Sequence, residues 1–366
     1  MDGQIARGVW KVIDRPERKP LLGTNTVFQR KVGQDGRAEE YKCRFVAQGF
    51  RQIKGIHYQE SSSPTPTQSN IRMALAVTAP LDREGRQLDV KIAFLEGDNT
   101  EELYVELLDG FRDSPNQVGR LKKTMNGLMH AGLLWSKTFG GELIAKGFER
   151  SHADSCVFRR KDLGKVVVII VVYVDDLLVL SETKKDEHQA LEDLRSSFPI
   201  KDLGEISYYL GCHIARDRKA TTVMFDQKPD HASCLDTRRS VSGDAVMLDE
   251  GVITWFWRAR RITATATSES EYVALAEIAN ELRFLRQVKA FMVPPNDYNI
   301  RIHEDNEGAI KTAENRFSCR RTRHINVKHH MVRDAVDGGM IHVEYVKSGE
   351  QHADVLTKAI DAKSFK

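Results

Sequence analysis

Cysteine is scarce in this chain of 366 residues: Cys43, Cys156, Cys212, Cys234 and Cys319 lie scattered, with no C-x-x-C pair and no Cys/His ligand spacing. That argues against a disulfide framework or a structural zinc site and predicts reduced thiols in an intracellular compartment. The opening stretch MDGQIARGVWKVIDRPERK has no apolar core, so no secretory signal is expected. Internal repeats and long low-complexity tracts are also missing. Strong charge of one sign is lacking: the net charge is +3 with a pI near 8.5, so bulk charge says little about a nucleic-acid partner. The distribution says more, because residues 1–60 hold 12 Lys/Arg against 7 Asp/Glu. With 41% hydrophobic and 29% charged residues, the composition is that of a globular protein long enough for two or three domains.

The longest apolar run, Val166 to Leu180, is too short for a membrane span and carries two adjacent aspartates. Its first eight residues are Val or Ile except for the last, Tyr173, so β-branching predicts a buried strand, with Leu177 to Leu180 returning. Asp175 and Asp176 then fall at or near a hairpin turn. Asp suits turns in general, but two acids between such strands call for a cationic or polar partner.

Upstream, Val9 to Ile13 and Asn25 to Val32 read as strands. A turn signal at Gln34 to Gly36 follows, with a return strand over Glu40 to Gln48. Alternation puts Lys42 and Arg44 on one face and Tyr41, Cys43 and Phe45 on the other. Such a pair is either a solvated face or a grip for phosphates. The Ser/Pro/Thr loop from Glu60 to Asn70 leads into a helix from Ile71 to Ala79 and is expected to carry no chemistry. Asp89 closes a short strand and supplies a third carboxylate; by itself it reads as a turn residue, and Phe94 by itself as core. Helices are expected from Trp135, with Phe139, Leu143 and Ile144 on one track, and over Glu182 to Phe198.

Several segments carry a family resemblance. Tyr173-Val174-Asp175-Asp176 resembles the active-site motif of reverse transcriptases. YKCRFVAQGFRQIKGIHYQES, LDVKIAFLEGDNTEELYVELLDGF and IKDLGEISYYLGCHIAR (residues 200–216) resemble the fingers, first-aspartate and primer-end hairpin segments of copia-type LTR retrotransposon Pol polyproteins. The resemblance implies that Asp89, Asp175 and Asp176 bind two Mg²⁺, that Lys42 and Arg44 sit over the incoming nucleotide, and that Phe94 is the steric gate against a ribose 2′-hydroxyl. Gly119 to Ser136 resembles the R-L-x-K-x-L-Y-G-L-K-Q-A-x-R-x-W segment. It departs at Met125-Asn126, at Met129-His130 in place of Lys-Gln, and at Leu134 before the Trp. The lost Gln would lie beside nucleotide and template.

Past Phe225 to Lys228, where a thumb is expected, DHASCLDTRRSVSG from Asp230 to Gly243 already resembles an RNase H opening, so thumb and connection are expected to be missing. The second half reads as an RNase H-like α/β domain. Strands are expected at Ala245–Leu248, Gly251–Trp257, Ile300–Glu304 and Met340–Val346. Helices are expected at Ser268–Met292, after Asp305, at His324–Val336 and at Glu350–Lys358. Its metal-binding acids by resemblance are Asp230, Glu271, Asp305 and Asp354; Ser268 with Glu271 also fits a capping box. The intact first strand is missing from the sequence, so RNase H activity is expected to be absent or feeble. His324, His329 and His330 lie on a basic helix better suited to nucleic-acid contact or packing than to a metal.

The fold class expected is α+β: right-hand polymerase fingers and palm over residues 1–228, then a truncated RNase H-like α/β domain over 229–366. The function implied by the resemblance is RNA-directed DNA polymerisation by two-metal nucleotidyl transfer. Its partners would be an RNA template, a DNA primer, RNA–DNA hybrid and deoxynucleotide triphosphates, with no membrane. The implied location is a cytoplasmic virus-like particle, with room for a nuclear phase. The other readings are a catalytically degenerate remnant with at most weak nucleic-acid binding, and a gene model that skips a piece near Gln227–Asp230.

Overall fold

The computed structural model describes residues 4, 7–32, 38–210, 212–218, 222–227, 241–248, 251–259, 267–293, 300–314 and 326–347. The chain begins with β1 (Trp10–Asp14), β2 (Leu21–Leu22), β3 (Thr24–Val32), β4 (Ala38–Ala47), α1 (Gln68–Thr78) and β5 (Glu84–Val90). It continues with β6 (Tyr104–Val105), β7 (Gln117–Leu121), α2 (Ala131–Ala145), β8 (Glu149–Arg150), β9 (Val157–Asp162), β10 (Lys165–Tyr173) and β11 (Asp176–Ser181). Next come α3 (Lys184–Ser197), β12 (Ile200–Glu205), β13 (Tyr208–Tyr209), β14 (Cys212–Asp217) and β15 (Thr222–Gln227). The last elements are β16 (Val241–Leu248), β17 (Gly251–Ala259), α4 (Thr267–Met292), β18 (Ile300–Glu304), α5 (Glu307–Glu314), α6 (Asn326–Asp337) and β19 (Ile341–Tyr345).

Two compact units emerge: residues 1–66 with 84–206, and residues 67–83 with 207–366. The division at Ile206/Ser207 differs from the functional boundary read at 228/229, and α1 goes with the second unit.

The first unit is built on a six-stranded sheet ordered β12-β5-β11-β10-β9-β8. Its centre is the Val/Ile run: β10 is buried from Val166 to Val172 and β11 from Leu177 to Ser181. A strand buried on both faces reads as a continuous apolar run rather than an alternating one. Val168, Ile170, Val172, Leu177 and Val179 form one core with Trp135, Phe139 and Leu143 of α2 and Leu191 and Leu194 of α3. Thr183 caps α3 by accepting from the Asp186 N–H at 3.2 Å. A four-stranded sheet, β1-β7-β6-β2, and the β3–β4 hairpin complete the unit. Phe45 and Ala47 of β4 share a second core with Trp10, Leu121, Met125 and Leu128.

Residues 200–216 do not form one hairpin. β12 pairs antiparallel with β5, extending the large sheet, whereas β13, β14 and β15 form a separate three-stranded sheet of the second unit. The pairing surface of β5 draws the first half of the segment away.

In the second unit Thr67 caps α1 through the Asn70 N–H at 3.2 Å. The Arg72 guanidinium lies 4.1 Å from the Trp255 ring centroid on β17, a desolvated cation–π contact. The described strands here are three separate sheets: β13-β14-β15, the antiparallel β16–β17 hairpin and the parallel β18–β19 pair. The turn Gln34–Gly36, the junction around Asp230, and the Glu350–Lys358 helix lie outside the described residues.

Candidate active site

Three acidic residues are brought to one end of the six-stranded sheet. Asp176, the first residue of β11, is the direct cross-strand partner of Asp89 on β5. Directly opposite residues share a face with Cβ atoms about 5 Å apart. Lys201 of β12 flanks Asp89 on its other side. Asp175 sits in the two-residue turn closed by the Tyr173–Asp176 pair, and its carbonyl accepts from the Val90 N–H at 2.8 Å. Thus the β5 strand end receives both the neighbouring acid and the turn backbone.

That turn is strained. Val174 has φ +57°, and it is a β-branched residue in the left-handed region. Turns with positive φ at the first central residue ordinarily place Gly there. Two hydrogen bonds hold the conformation: Val90 N–H on Asp175 O, and the Trp135 indole N–H on Val174 O at 2.7 Å.

The electrostatics follow from crowding. Desolvation by its neighbours pushes the Asp175 carboxyl above the usual carboxylate range, although the residue as a whole is exposed at the tip. Asp89 adds repulsion, and Arg44 and Lys42 pull the other way. The β3–β4 register puts Lys42 opposite Gln29 and Arg44 opposite Val27, so both cations share one face. Arg44 donates to Gln29 Oε1 at 2.7 Å.

Beside the acids runs an open groove of about 250 Å³ lined by Phe94, Val174, Gly127, Met129, Gly132, Ser61, Ser63 and Thr65, among others. Phe94 lies in a short 3-10 turn, Ala93–Leu95, set up by Ile92 at φ +57°. Its carbonyl accepts from the buried Thr124 hydroxyl. A Cβ on Gly132 would stand 2.9 Å from Ser63 Cβ and 3.6 Å from the Phe94 ring, so this glycine is what lets loop and ring close over the start of α2.

Met129 and His130 divide the position differently from the sequence reading. His130 is buried away from the groove, stacked on Tyr58 with centroids 6.0 Å apart and within 3.4 Å of Asn99 Oδ1. Burial lowers its pKa and so favours the neutral imidazole, against the pull of Glu101. Met129 lines the groove instead, with its N–H bonded to Gln52 Oε1 at 2.8 Å. The Ser/Pro/Thr loop, expected to carry no chemistry, supplies three groove hydroxyls. Nothing local in ESSSPTPT marks them, since the groove forms only when the loop meets Gly132.

Carboxylates are the hard oxygen donors that Mg²⁺ takes, and the crowding of Asp175 against Asp89 is a repulsion that a cation relieves. By donor chemistry the acids fit a divalent ion. Among the described residues, however, no group of three or more His, Cys, Asp and Glu side chains is closed into a ligand set.

In the second unit Glu271 stands near the start of α4 and Asp305 directly after β18. α4 starts at Thr267, one residue ahead of Ser268. Asp230, Asp354 and His324 lie outside the described residues, as do the side chains of His329 and His330. Among the described residues, no helix is long and apolar enough to cross a membrane.

The chain is similar to the retrovirus-related Pol polyprotein from transposon TNT 1-94 of Nicotiana tabacum. The two are 25% identical over 485 residues, covering 100% of this chain and 36% of that protein. The corresponding polyprotein from transposon RE1 of Arabidopsis thaliana is 24% identical over 477 residues, covering 100% of this chain and 32% of that protein. The chain therefore spans about a third of the length of these curated relatives. A solved structure of a foamy viral protease-reverse transcriptase in complex with double-stranded DNA aligns at TM-score 0.45 and 11% identity, over 95% of this chain and 68% of that one. The family model described as reverse transcriptase (RNA-dependent DNA polymerase) matches residues 7–229, more than half of the chain. The chain belongs to the reverse transcriptase (RNA-dependent DNA polymerase) family, and the relatives it matches along its whole length are copia-type retrotransposon Pol polyproteins.

Proposed function

We propose that the first unit carries the catalytic centre of an RNA-directed DNA polymerase, with Asp89, Asp175 and Asp176 as its acids. The observation that carries this reading is the direct pairing of Asp176 with Asp89, with Asp175 in the adjoining turn. The primer 3′-hydroxyl oxygen attacks the α-phosphorus of a deoxynucleotide triphosphate. The bond to pyrophosphate breaks as the new ester forms, and the hydroxyl proton passes to solvent. Lys42 and Arg44 would meet the triphosphate from one face of the β3–β4 hairpin. Phe94 would press on the sugar from the groove wall. Two Mg²⁺ held by the three carboxylates would supply Lewis-acid activation of the attacking hydroxyl and charge stabilisation for the leaving pyrophosphate. The partners on this reading are an RNA template, a DNA primer and deoxynucleotide triphosphates.

The test is primer extension on poly(rA) with Mg²⁺. Incorporation well above that of the Asp175→Asn, Asp176→Asn double variant is expected; equal incorporation overturns the reading.

A second reading, a remnant that binds nucleic acid weakly without catalysis, is favoured by one observation. An alignment of 485 positions on 366 residues leaves at least 119 positions of the tobacco protein without a counterpart. Thumb and connection, falling near Gln227–Asp230, are the segments we assign to that gap, which weakens the grip on duplex. RNase H activity through Asp230, Glu271, Asp305 and Asp354 is proposed to be absent or feeble. Salt-dependent retention of a primer-template without incorporation would select this reading, since phosphate contacts weaken steeply with salt.

A further inference from the structure

We propose that Trp135 is a positioning residue for the acidic turn, acting through its indole N–H on the Val174 carbonyl; this rests on the polymerase reading of that turn. Trp135 is 1% exposed and packed against Phe139 and Phe198 at centroid distances of 5.1 and 5.2 Å. An indole so placed reads as core, and packing alone would be served by Phe or Leu. Its N–H, however, leaves the core and reaches the carbonyl of Val174 at 2.7 Å.

The acceptor is the residue that needs holding. Val174 bears a positive φ with a β-branched side chain, a strained conformation that persists only where surrounding structure over-determines it. Relaxing that φ would swing the Asp175 carboxylate, which the next peptide carries, away from the Asp89–Asp176 pair. The turn is pinned at two points by two elements: Val90 N–H of β5 holds Asp175 O, and Trp135 of α2 holds Val174 O. One pin comes from the strand that carries Asp89. The other comes from the helix whose first turn lines the groove through Ala131 and Gly132. Thus α2 fixes the acids and the groove wall from a single rigid body.

The experiment compares Trp135→Phe, which keeps the ring and loses the N–H, with Phe139→Leu, which trims the same core and keeps the bond. Hydrogen exchange of a peptide spanning residues 173–178 should quicken in Trp135→Phe and stay at the wild-type rate in Phe139→Leu. In primer extension, Trp135→Phe should lose about tenfold in kcat with KM for the nucleotide nearly unchanged, the pattern for an interaction that matters in the transition state. Adding Val174→Gly, which removes the φ penalty, should restore part of that loss. Unchanged exchange at the turn in Trp135→Phe overturns the proposal, and so does equal quickening in both variants. If exchange responds as stated but wild-type incorporation does not exceed the Asp175→Asn, Asp176→Asn control, the positioning role stands and the polymerase reading falls.

Discussion

Gly127→Ala is expected to unseat the strand that carries Lys42 and Arg44, the two cations proposed to meet the triphosphate. Gly127 has φ +93°, and a Cβ placed there would lie 2.2 Å from the Ala47 carbonyl oxygen at the end of β4. Across the same contact a Cβ on Gly49 would lie 1.9 Å from Gly127 O, so two backbones touch with no room for a methyl on either. The Ala47 N–H also donates to Asn126 O at 2.8 Å. An L side chain at positive φ costs about 1–2 kcal/mol, and losing the hydrogen bond as the backbones part costs about 1 kcal/mol. The sum is about 2–3 kcal/mol, or about 4–12 °C in Tm for a domain of this size. Thermal unfolding is the assay, with Gly55→Ala as control: Gly55 has φ +85° and open space around its Cβ position, so it pays the conformational cost alone. Because β4 carries Lys42 and Arg44 and Gly127 lines the groove, primer extension should show a larger rise in nucleotide KM than fall in kcat. A Gly127→Ala protein no less stable than Gly55→Ala would refute the backbone-contact reasoning.

The remaining expectations concern charge and selectivity. Lys42→Ala with Arg44→Ala removes the two cations that hold the Asp175 pKa down, so the acid limb of the rate–pH profile should move to higher pH; an unmoved limb separates the cations from the acid. Asp175→Asn should abolish incorporation yet leave the fold slightly more stable at neutral pH, within about 0.5 kcal/mol as for other tip positions. The sign follows from linkage: a carboxyl whose folded pKa is raised binds more protons folded than unfolded. Its contribution to stability therefore falls as pH climbs from its ordinary value of 3.8 through the folded value. Urea unfolding of the wild type against Asp175→Asn across that window checks it, and a gap that narrows with rising pH would be the wrong sign. Phe94→Val should open the groove wall to a ribose 2′-hydroxyl, raising ribonucleotide over deoxynucleotide incorporation; an unchanged ratio assigns the ring to packing alone.

What could be read in advance was whatever a short window determines. β-branching alone specified β10, and the Asp pair fell at its end because two charges cannot enter a strand buried on both faces. Thr67 and Thr183 mark helix starts by a local rule, and α1 and α3 begin close to the expected Ile71 and Glu182. What was not legible depended on distant partners. β12 joins β5 across more than a hundred residues, so its segment could not be parsed as anything but a hairpin. Nothing near α1 announces that it packs with β17, and no feature of Met129-His130 says which of the two faces the groove. That is decided by Tyr58, which stacks on the imidazole, and by Gln52, which binds the Met129 N–H.

Of the six described non-glycine residues with positive φ, Ile92 and Val174 lie at the acidic end of the large sheet, and Arg18, Asp82, Leu163 and Leu210 lie elsewhere. Val174 sits in a left-handed conformation and Asp175 is desolvated beside Asp89. Ile92, the third case near the site, turns the chain so that Phe94 enters the groove. Each would be relieved by a single substitution, Gly at 174, Asn at 175 or Gly at 92, although at 174 the gain is offset by loss of a side chain packed against the main core. Strain shared among a turn, an acid and a wall residue that line the same small volume is the expected pattern where preorganisation is retained at the expense of stability. The distinction can be measured: in the triple variant Ile92→Gly, Val174→Gly, Asp175→Asn, a Tm above wild type with incorporation abolished assigns these costs to function. A Tm at or below wild type would mean that the three conformations belong to the packing itself.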